Sequence, residues 1–215
     1  MSGARLRIVE LVVGDEPEAW RQAGFAVDAN GCAQVSTVRF RFVGADGVRG
    51  LRSWRIDGVA GGTIDGLPGE LVCDPSTVLI DRAPDHPNST TVLDHVVVAT
   101  PDIDRTIGAF VEVGCEPRRE RVGGSESMPM RQVFLRAGEV IVEVVGPPTP
   151  PDRPERRDRP AAFWGLAFTV EDLDRCVATL GDACGSARDA VQPGRRIATL
   201  RHESLGISVP TAFMS

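Results

Sequence analysis

At 215 residues the chain is long enough for one larger domain or two small ones, and 42% hydrophobic with 25% charged residues is the balance of a globular protein. A formal net charge of −6 argues against a nucleic-acid or anionic-membrane surface, because both need clustered positive charge. All 24 basic residues are Arg and Tyr is absent, which removes a Schiff-base lysine and a phenolic acid from the catalytic options.

The five cysteines, Cys32, Cys73, Cys115, Cys176 and Cys184, form no Cys-x-x-Cys pair. Neither a zinc knuckle nor a disulfide framework is expected, and reduced thiols in a cytoplasmic protein are. No N-terminal apolar leader and no run of ~18 apolar residues is present, so secretion and membrane spanning are not expected.

Residues 5–13 read as a β-branched strand ending at Gly14-Asp15. Residues 16–23 read as a short helix, with Asp15 as N-cap and Gly24 as its stop. Ala33 to Val43 reads as one strand, with clear alternation from Val38 to Phe42. A turn at Gly44–Gly47 leads to a strand over Val48–Ile56. Residues 58–91 are rich in Gly and Pro; Leu71–Cys73 and Val78–Ile80 are candidate short strands, and 85–89 is a connector.

The same order then returns. Val92–Ala99 is a strand, and Pro101–Val113 a helix with Thr100 as N-cap, Pro101 at N1 and Gly114 past its end. Glu116–Val122 is extended; Met130–Leu135 and Glu139–Val145 are strands joined by Arg136-Ala137-Gly138. Residues 147–160 hold Pro147, Pro148, Pro150, Pro151, Pro154 and Pro160 among charges, which predicts a stiff, solvated linker rather than helix or sheet interior. Ala162–Val170 is a strand, Glu171 opens a helix to Leu180, and 187–192 is extended. Arg195–Arg201 and Ile207–Ala212 form the last strands around a turn at His202–Gly206. Three segments, starting near Ile8, Leu93 and Phe163, share this β-α-β-β order, and the repetition points to an α+β fold of βαβββ modules.

His95 and Glu143 are the candidate catalytic residues, because each interrupts an apolar β run. Burying such a group requires a partner or a polar cavity. Three readings stand for His95: a core histidine hydrogen-bonded to Glu143 or a carbonyl, a metal ligand, and one half of a metal-free acid–base dyad with Glu143. Glu143 has the further option of pairing with Arg131. Trp164, Arg131 and His202 are the candidate ligand-binding residues: Trp164 as a stacking surface, Arg131 as a bidentate clamp on a carboxylate or phosphate, His202 from the rim of the last hairpin.

The segment from Val92 to about Met214 resembles the vicinal oxygen chelate superfamily of glyoxalase I, bleomycin-resistance proteins, extradiol dioxygenases and methylmalonyl-CoA epimerase. Leu93-Asp94-His95-Val96-Val97-Val98-Ala99 and Asp102-Ile103-Asp104-Arg105 carry the likeness in the first module. Phe163 to Asp174, and the run from Arg196 through Glu203-Ser204-Leu205-Gly206, carry it in the second. The resemblance implies a glyoxalase-like domain over 91–215, built of modules 92–146 and 162–213 joined by the linker at 147–160. It also implies that residues 1–90 are a third, diverged βαβββ-like module.

Metal-holding members use four side chains, one from the first and one from the last strand of each module. Carried onto this chain, those positions are His95, Glu143, Gly165 and Pro210, and in the N-terminal module Glu10 stands where His95 does. The resemblance thus implies zinc, iron, manganese or nickel at His95 and Glu143. With Gly165 and Pro210 unable to donate, the expectation for this chain is no cofactor. Gly165 and Pro210 are also expected to enlarge the cleft. The expected function is a glyoxalase-like small-molecule binding protein with an incomplete metal quartet. The alternative is a lyase, isomerase or dioxygenase-type enzyme using His95 and Glu143 at a divalent-metal or metal-free acid–base site. The expected partners are a small-molecule ligand and, from the odd module count, a second copy in a homodimer.

Overall fold

Alternating valines set the architecture: Val96 and Val98 on one strand and Val142 and Val144 on another are all fully buried, and burial stabilises each such side chain by about 1.5–3 kcal/mol. In the computed structural model, which describes residues 6–59, 61–73 and 84–215, the chain is α+β and forms two compact units. One unit comprises residues 6–8, 53–59, 61–73 and 95–164; the other comprises 9–52, 84–94 and 165–215. The strand expected over Val78–Ile80 lies outside the described residues.

The chain runs through β1 (Arg7–Val13), α1 (Pro17–Gln22), β2 (Cys32–Val35), β3 (Val38–Phe42), β4 (Leu51–Asp57) and β5 (Gly69–Val72). There follow β6 (Thr90–Ala99), α2 (Ile103–Glu112), β7 (Pro117–Ser125), β8 (Met128–Ala137), β9 (Val140–Gly146) and α3 (Pro154–Arg157). The last elements are β10 (Ala162–Val170), α4 (Leu173–Leu180), β11 (Arg188–Asp189), β12 (Arg196–Thr199) and β13 (Thr211–Met214).

In the first unit the strand order is β6-β9-β8-β7, with β6 and β9 parallel and the β7–β8–β9 meander antiparallel. The helix α2 packs on β9, placing Ile103, Thr106 and Phe110 inward. In the second unit β10-β13-β12-β11 repeats that plan, with β10 and β13 parallel and α4 against β12 and β13. The N-terminal segment follows the same rule, since β1 runs parallel to β3 and β3 pairs with β2 in a hairpin. Six aromatic rings, Trp20, Phe25, Phe40, Phe42, Phe168 and Phe213, form the core of the second unit with neighbouring centroids 4.9–6.4 Å apart.

Several local expectations change for identifiable reasons. The strand expected over Ala33–Val43 is two strands, β2 and β3, turned at Ser36, whose φ of 47° is the left-handed conformation of a tight turn. Asp15 does not cap α1; Glu16 occupies that place. The Asp15 carboxylate is fully buried and instead accepts bonds from the Trp20 indole (3.2 Å) and from the Ser208 backbone N–H and hydroxyl (3.1 and 2.6 Å), with Arg49 at 3.0 Å. The caps of α2 and α4 are Asp102 and Asp172, each accepting the N–H three residues on, from Arg105 and Arg175. The proline-rich segment contains one helical turn, α3, entered through Pro154 at N1, where a missing N–H costs nothing.

Candidate functional site

In β6 and β9 the Cα partners are His95 with Ile141 and Val97 with Glu143. Paired residues share a sheet face, so His95 and Glu143 project from the same side of this unit's sheet, one step apart along the strands. Across to β8, Glu143 stands opposite Phe134 and Val145 opposite Gln132. The Gln132 amide donates to the Glu143 carboxylate, and the Arg121 guanidinium donates to the Gln132 amide oxygen at 2.6 Å. The His95 imidazole meets the Phe134 ring edge-on, with centroids 6.2 Å apart, while the Arg121 guanidinium carbon lies 5.6 Å from the other ring contact, the Phe134 centroid. This face is therefore a half-buried polar stripe of Arg121, Gln132 and Glu143 beside His95.

Arg131 lies on the opposite face. It stands opposite Gly146 and Val122, on the helix side of the sheet. Its guanidinium donates to Glu120 at 2.7 Å and to Asp104 at 2.6 Å. Hydrogen bonds to Glu120 and then Asp104 hold Arg131 well above the usual arginine range, and the same bond holds the Glu120 carboxyl below its ordinary value. Glu143 thus takes its partner from Gln132, not from Arg131.

His202 belongs to the second unit. It opens a 3-10 turn over His202–Leu205, and its Nδ1–H donates to the Ile207 carbonyl at 2.9 Å. Its imidazole closes its own hairpin. Glu10, on β1, lies 3.4 Å from Arg41. Gly165 lies in β10 beside Pro210, the residue just before β13: Leu166 N–H donates to the Pro210 carbonyl at 2.9 Å, and a Cβ at Gly165 would lie 2.9 Å from that oxygen. The missing side chain at 165 therefore opens no space there. Backbone fills it, and the expectation of an enlarged cleft at this point is corrected.

On donor chemistry, the residues present do not fit a four-ligand metal centre. His95 and Glu143 are two donors, Glu143 is engaged by an amide, and Gly165 and Pro210 carry no donor side chain. Among the described residues no group of three or more His, Cys, Asp or Glu is placed to hold an ion.

Further along the same sheet, the C-terminal ends of β6 and β9 open on a cavity of about 1190 Å³. Ala99, Thr100, Val145 and Gly146 form its floor, Met128 and Met130 from the β7–β8 hairpin form one wall, and Pro147, Pro148, Pro151 and Pro160 another. Trp164 and two arginines, Arg156 and Arg159, complete it. The floor needs glycine at 146, because a Cβ there would lie 2.3 Å from the Thr100 carbonyl.

One guanidinium fixes the arginine-bearing wall. Arg105 is held by Asp65 at 2.7 and 3.1 Å and donates to the carbonyls of Arg157 (2.7 Å) and Arg159 (2.6 Å). Thr106 also donates to Asp65 at 2.5 Å, and Ala161 N–H bonds to the Asp65 carbonyl at 3.0 Å. Of the candidate site residues His95, Glu143, Trp164, Arg131 and His202, only Trp164 lines this cavity. Sequence reasoning missed Met128, Met130, Arg156 and Arg159. The available signals were a Met-Pro-Met run at a hairpin tip, where exposed methionines have nothing to pack on, and arginines set in a proline-rich frame.

The repeated strand–helix–meander module, with its first and last strands parallel, defines a glyoxalase-like fold. Residues 94–199, just under half of the chain, match the family model described as the glyoxalase/bleomycin resistance protein/dioxygenase superfamily, and this segment belongs to that superfamily. No curated protein matches it. Among solved structures, a methylmalonyl-CoA epimerase from Mycobacterium tuberculosis is 20% identical with a TM-score of 0.43, over 59% of this chain and 88% of its own. A selenomethionine methylmalonyl-CoA epimerase is 19% identical with a TM-score of 0.45, over 58% and 94%. A Streptomyces coelicolor methylmalonyl-CoA epimerase in complex with 2-nitronate-propionyl-CoA is 21% identical with a TM-score of 0.42, over 59% and 97%.

Proposed function

We propose that this chain is a glyoxalase-like small-molecule binding protein that works without the four-ligand metal centre, and that its ligand sits in the cavity at the ends of β6 and β9. The observation that carries the reading is the lining: a concave surface of Met, Pro, Val and Trp side chains with few polar groups, at about 1190 Å³. Small-molecule sites are concave and largely apolar, at about 300–1,000 Å³, so a drug-sized ligand fits. The incomplete donor set at His95, Glu143, Gly165 and Pro210 supports binding over metal chemistry. Titration with the neutral fluorescent probe N-phenyl-1-naphthylamine tests it. One probe binds per chain, and Ala99→Phe, which fills the floor, weakens it at least tenfold. No binding to the wild-type chain, or unchanged binding to the filled variant, removes the proposal.

A second reading rests on the shared face of His95 and Glu143. There Glu143 acts as a base toward a proton next to a carbonyl, and His95 stabilises the resulting oxyanion or returns the proton. Exchange of such protons for deuterium in carbonyl compounds, followed by NMR and lost in both Glu143→Gln and His95→Ala, is its signature. Exchange that survives both substitutions eliminates it.

A further inference from the structure

The cavity carries two arginines and no acid: among the described residues that line it, no Asp or Glu occurs. That is unusual for a chain of net charge −6, in which 30 acidic residues outnumber 24 basic ones. Neighbouring guanidiniums are already committed, Arg105 to Asp65, Arg157 to Asp158 and Arg131 to Glu120. Among the described residues, the side chains of Arg156 and Arg159 have no hydrogen-bond or ion-pair partner, and their backbone is anchored by the Arg105 clamp and the one-turn helix α3. The remaining wall is apolar and adaptable: Met128 is 77% and Trp164 54% exposed. Thioether and indole surfaces suit a flat hydrocarbon body, and free guanidiniums suit an oxyanion.

We infer that the cavity takes an amphipathic organic anion, its apolar body against Met128, Met130 and Trp164 and its carboxylate or sulfonate group on Arg156 and Arg159. This deepens the binding reading above and rests on it. The deciding measurement compares two probes of similar size on the full chain. The aromatic sulfonate 8-anilinonaphthalene-1-sulfonate is the anion, and N-phenyl-1-naphthylamine is the neutral partner. In Arg156→Gln/Arg159→Gln the sulfonate binds about tenfold or more weakly, as expected for loss of charge-assisted hydrogen bonds, while the neutral probe changes less than twofold. Arg156→Lys/Arg159→Lys retains most sulfonate binding, and added salt weakens the sulfonate on the wild-type chain and on this Lys variant but not on the double Gln variant. Circular dichroism and melting temperature confirm that each variant is folded. Equal sulfonate binding to wild type and the double Gln variant overturns the anion inference and leaves the binding proposal intact, as does equal loss of both probes in a folded variant. If neither probe binds the wild-type chain, the binding proposal fails and the anion inference falls with it.

Discussion

Gly165 stands where the family resemblance implies a metal ligand, and the structure predicts that no side chain can be placed there without loss. A Cβ at this position lies 2.9 Å from the Pro210 carbonyl oxygen and 3.6 Å from the Pro210 Cβ. That oxygen is already bonded to Leu166 N–H at 2.9 Å, so it cannot turn away without leaving that donor unpaired. β10 and β13 must therefore separate by a few tenths of an ångström at their first pairing. Overpacking of this kind costs about 1–3 kcal/mol. Replacing glycine gains roughly 0.5–1 kcal/mol from reduced chain entropy, so the clash wins by about 1–2 kcal/mol. For a chain of this size that lowers the melting temperature by about 2–8 °C, read by circular dichroism. Gly165→His adds an imidazole to the same crowded point, so it melts lower still and acquires no stoichiometric zinc by elemental analysis. A Gly165→Ala protein melting at or above wild type, or a Gly165→His protein loaded with zinc, refutes the packing argument.

Asp15→Ala strands the Trp20 indole and the Ser208 amide and removes the partner of Arg49. Leaving buried donors without an acceptor costs about 1–3 kcal/mol each, seen in urea unfolding, while Arg49, its side chain 43% exposed, is resolvated and adds little. His86 accepts the Ala26 N–H at Nδ1 and donates from Nε2 to the Gln34 carbonyl, and burial lowers its pKa. Its contribution is complete above the unfolded value of about 6.5 and is lost as pH falls below that toward the folded value. His86→Gln flattens this part of the stability–pH curve. Burial pushes the Cys115 thiol up to about 11 and the Cys176 thiol up to about 12, whereas Cys73 is exposed. At pH 8 a chromogenic disulfide reagent therefore titrates Cys73 first, and Cys115 and Cys176 only after unfolding. Arg105→Ala frees the carbonyls of Arg157 and Arg159, and weakens probe binding in the cavity although Arg105 does not line it.

Strands built from β-branched runs are legible in the sequence itself: β1, β3, β6, β9 and β10 fall where alternation or apolar runs predict them. Periodicity carries no partner information, so the joining of Phe168 to Trp20 and Phe40, and of Phe213 to Phe25, more than 120 residues away in sequence, could not be read. Turns erred where two polar residues permit a hairpin that the strand pattern hides, as at Ser36. The common face of His95 and Glu143 follows from register, which only the family resemblance made accessible. The cavity was opaque because its wall is assembled from a hairpin tip, a strand end and a linker, none with a motif of its own. Arg105 enters the sequence reading only within the helix-opening run Asp102–Arg105, since nothing local marks Asp65 as its partner.

The ring cluster of the second unit draws on the chain both before residue 43 and after residue 167. During synthesis Trp20, Phe25, Phe40 and Phe42 leave the ribosome with their complement still untranslated, and at about 5–20 residues per second they wait roughly ten seconds or more for Phe213. Oily surface left uncovered for that long invites capture by a chaperone or by a sister chain. Yield should therefore respond to holdase supply and growth temperature more than the melting point of the finished protein suggests.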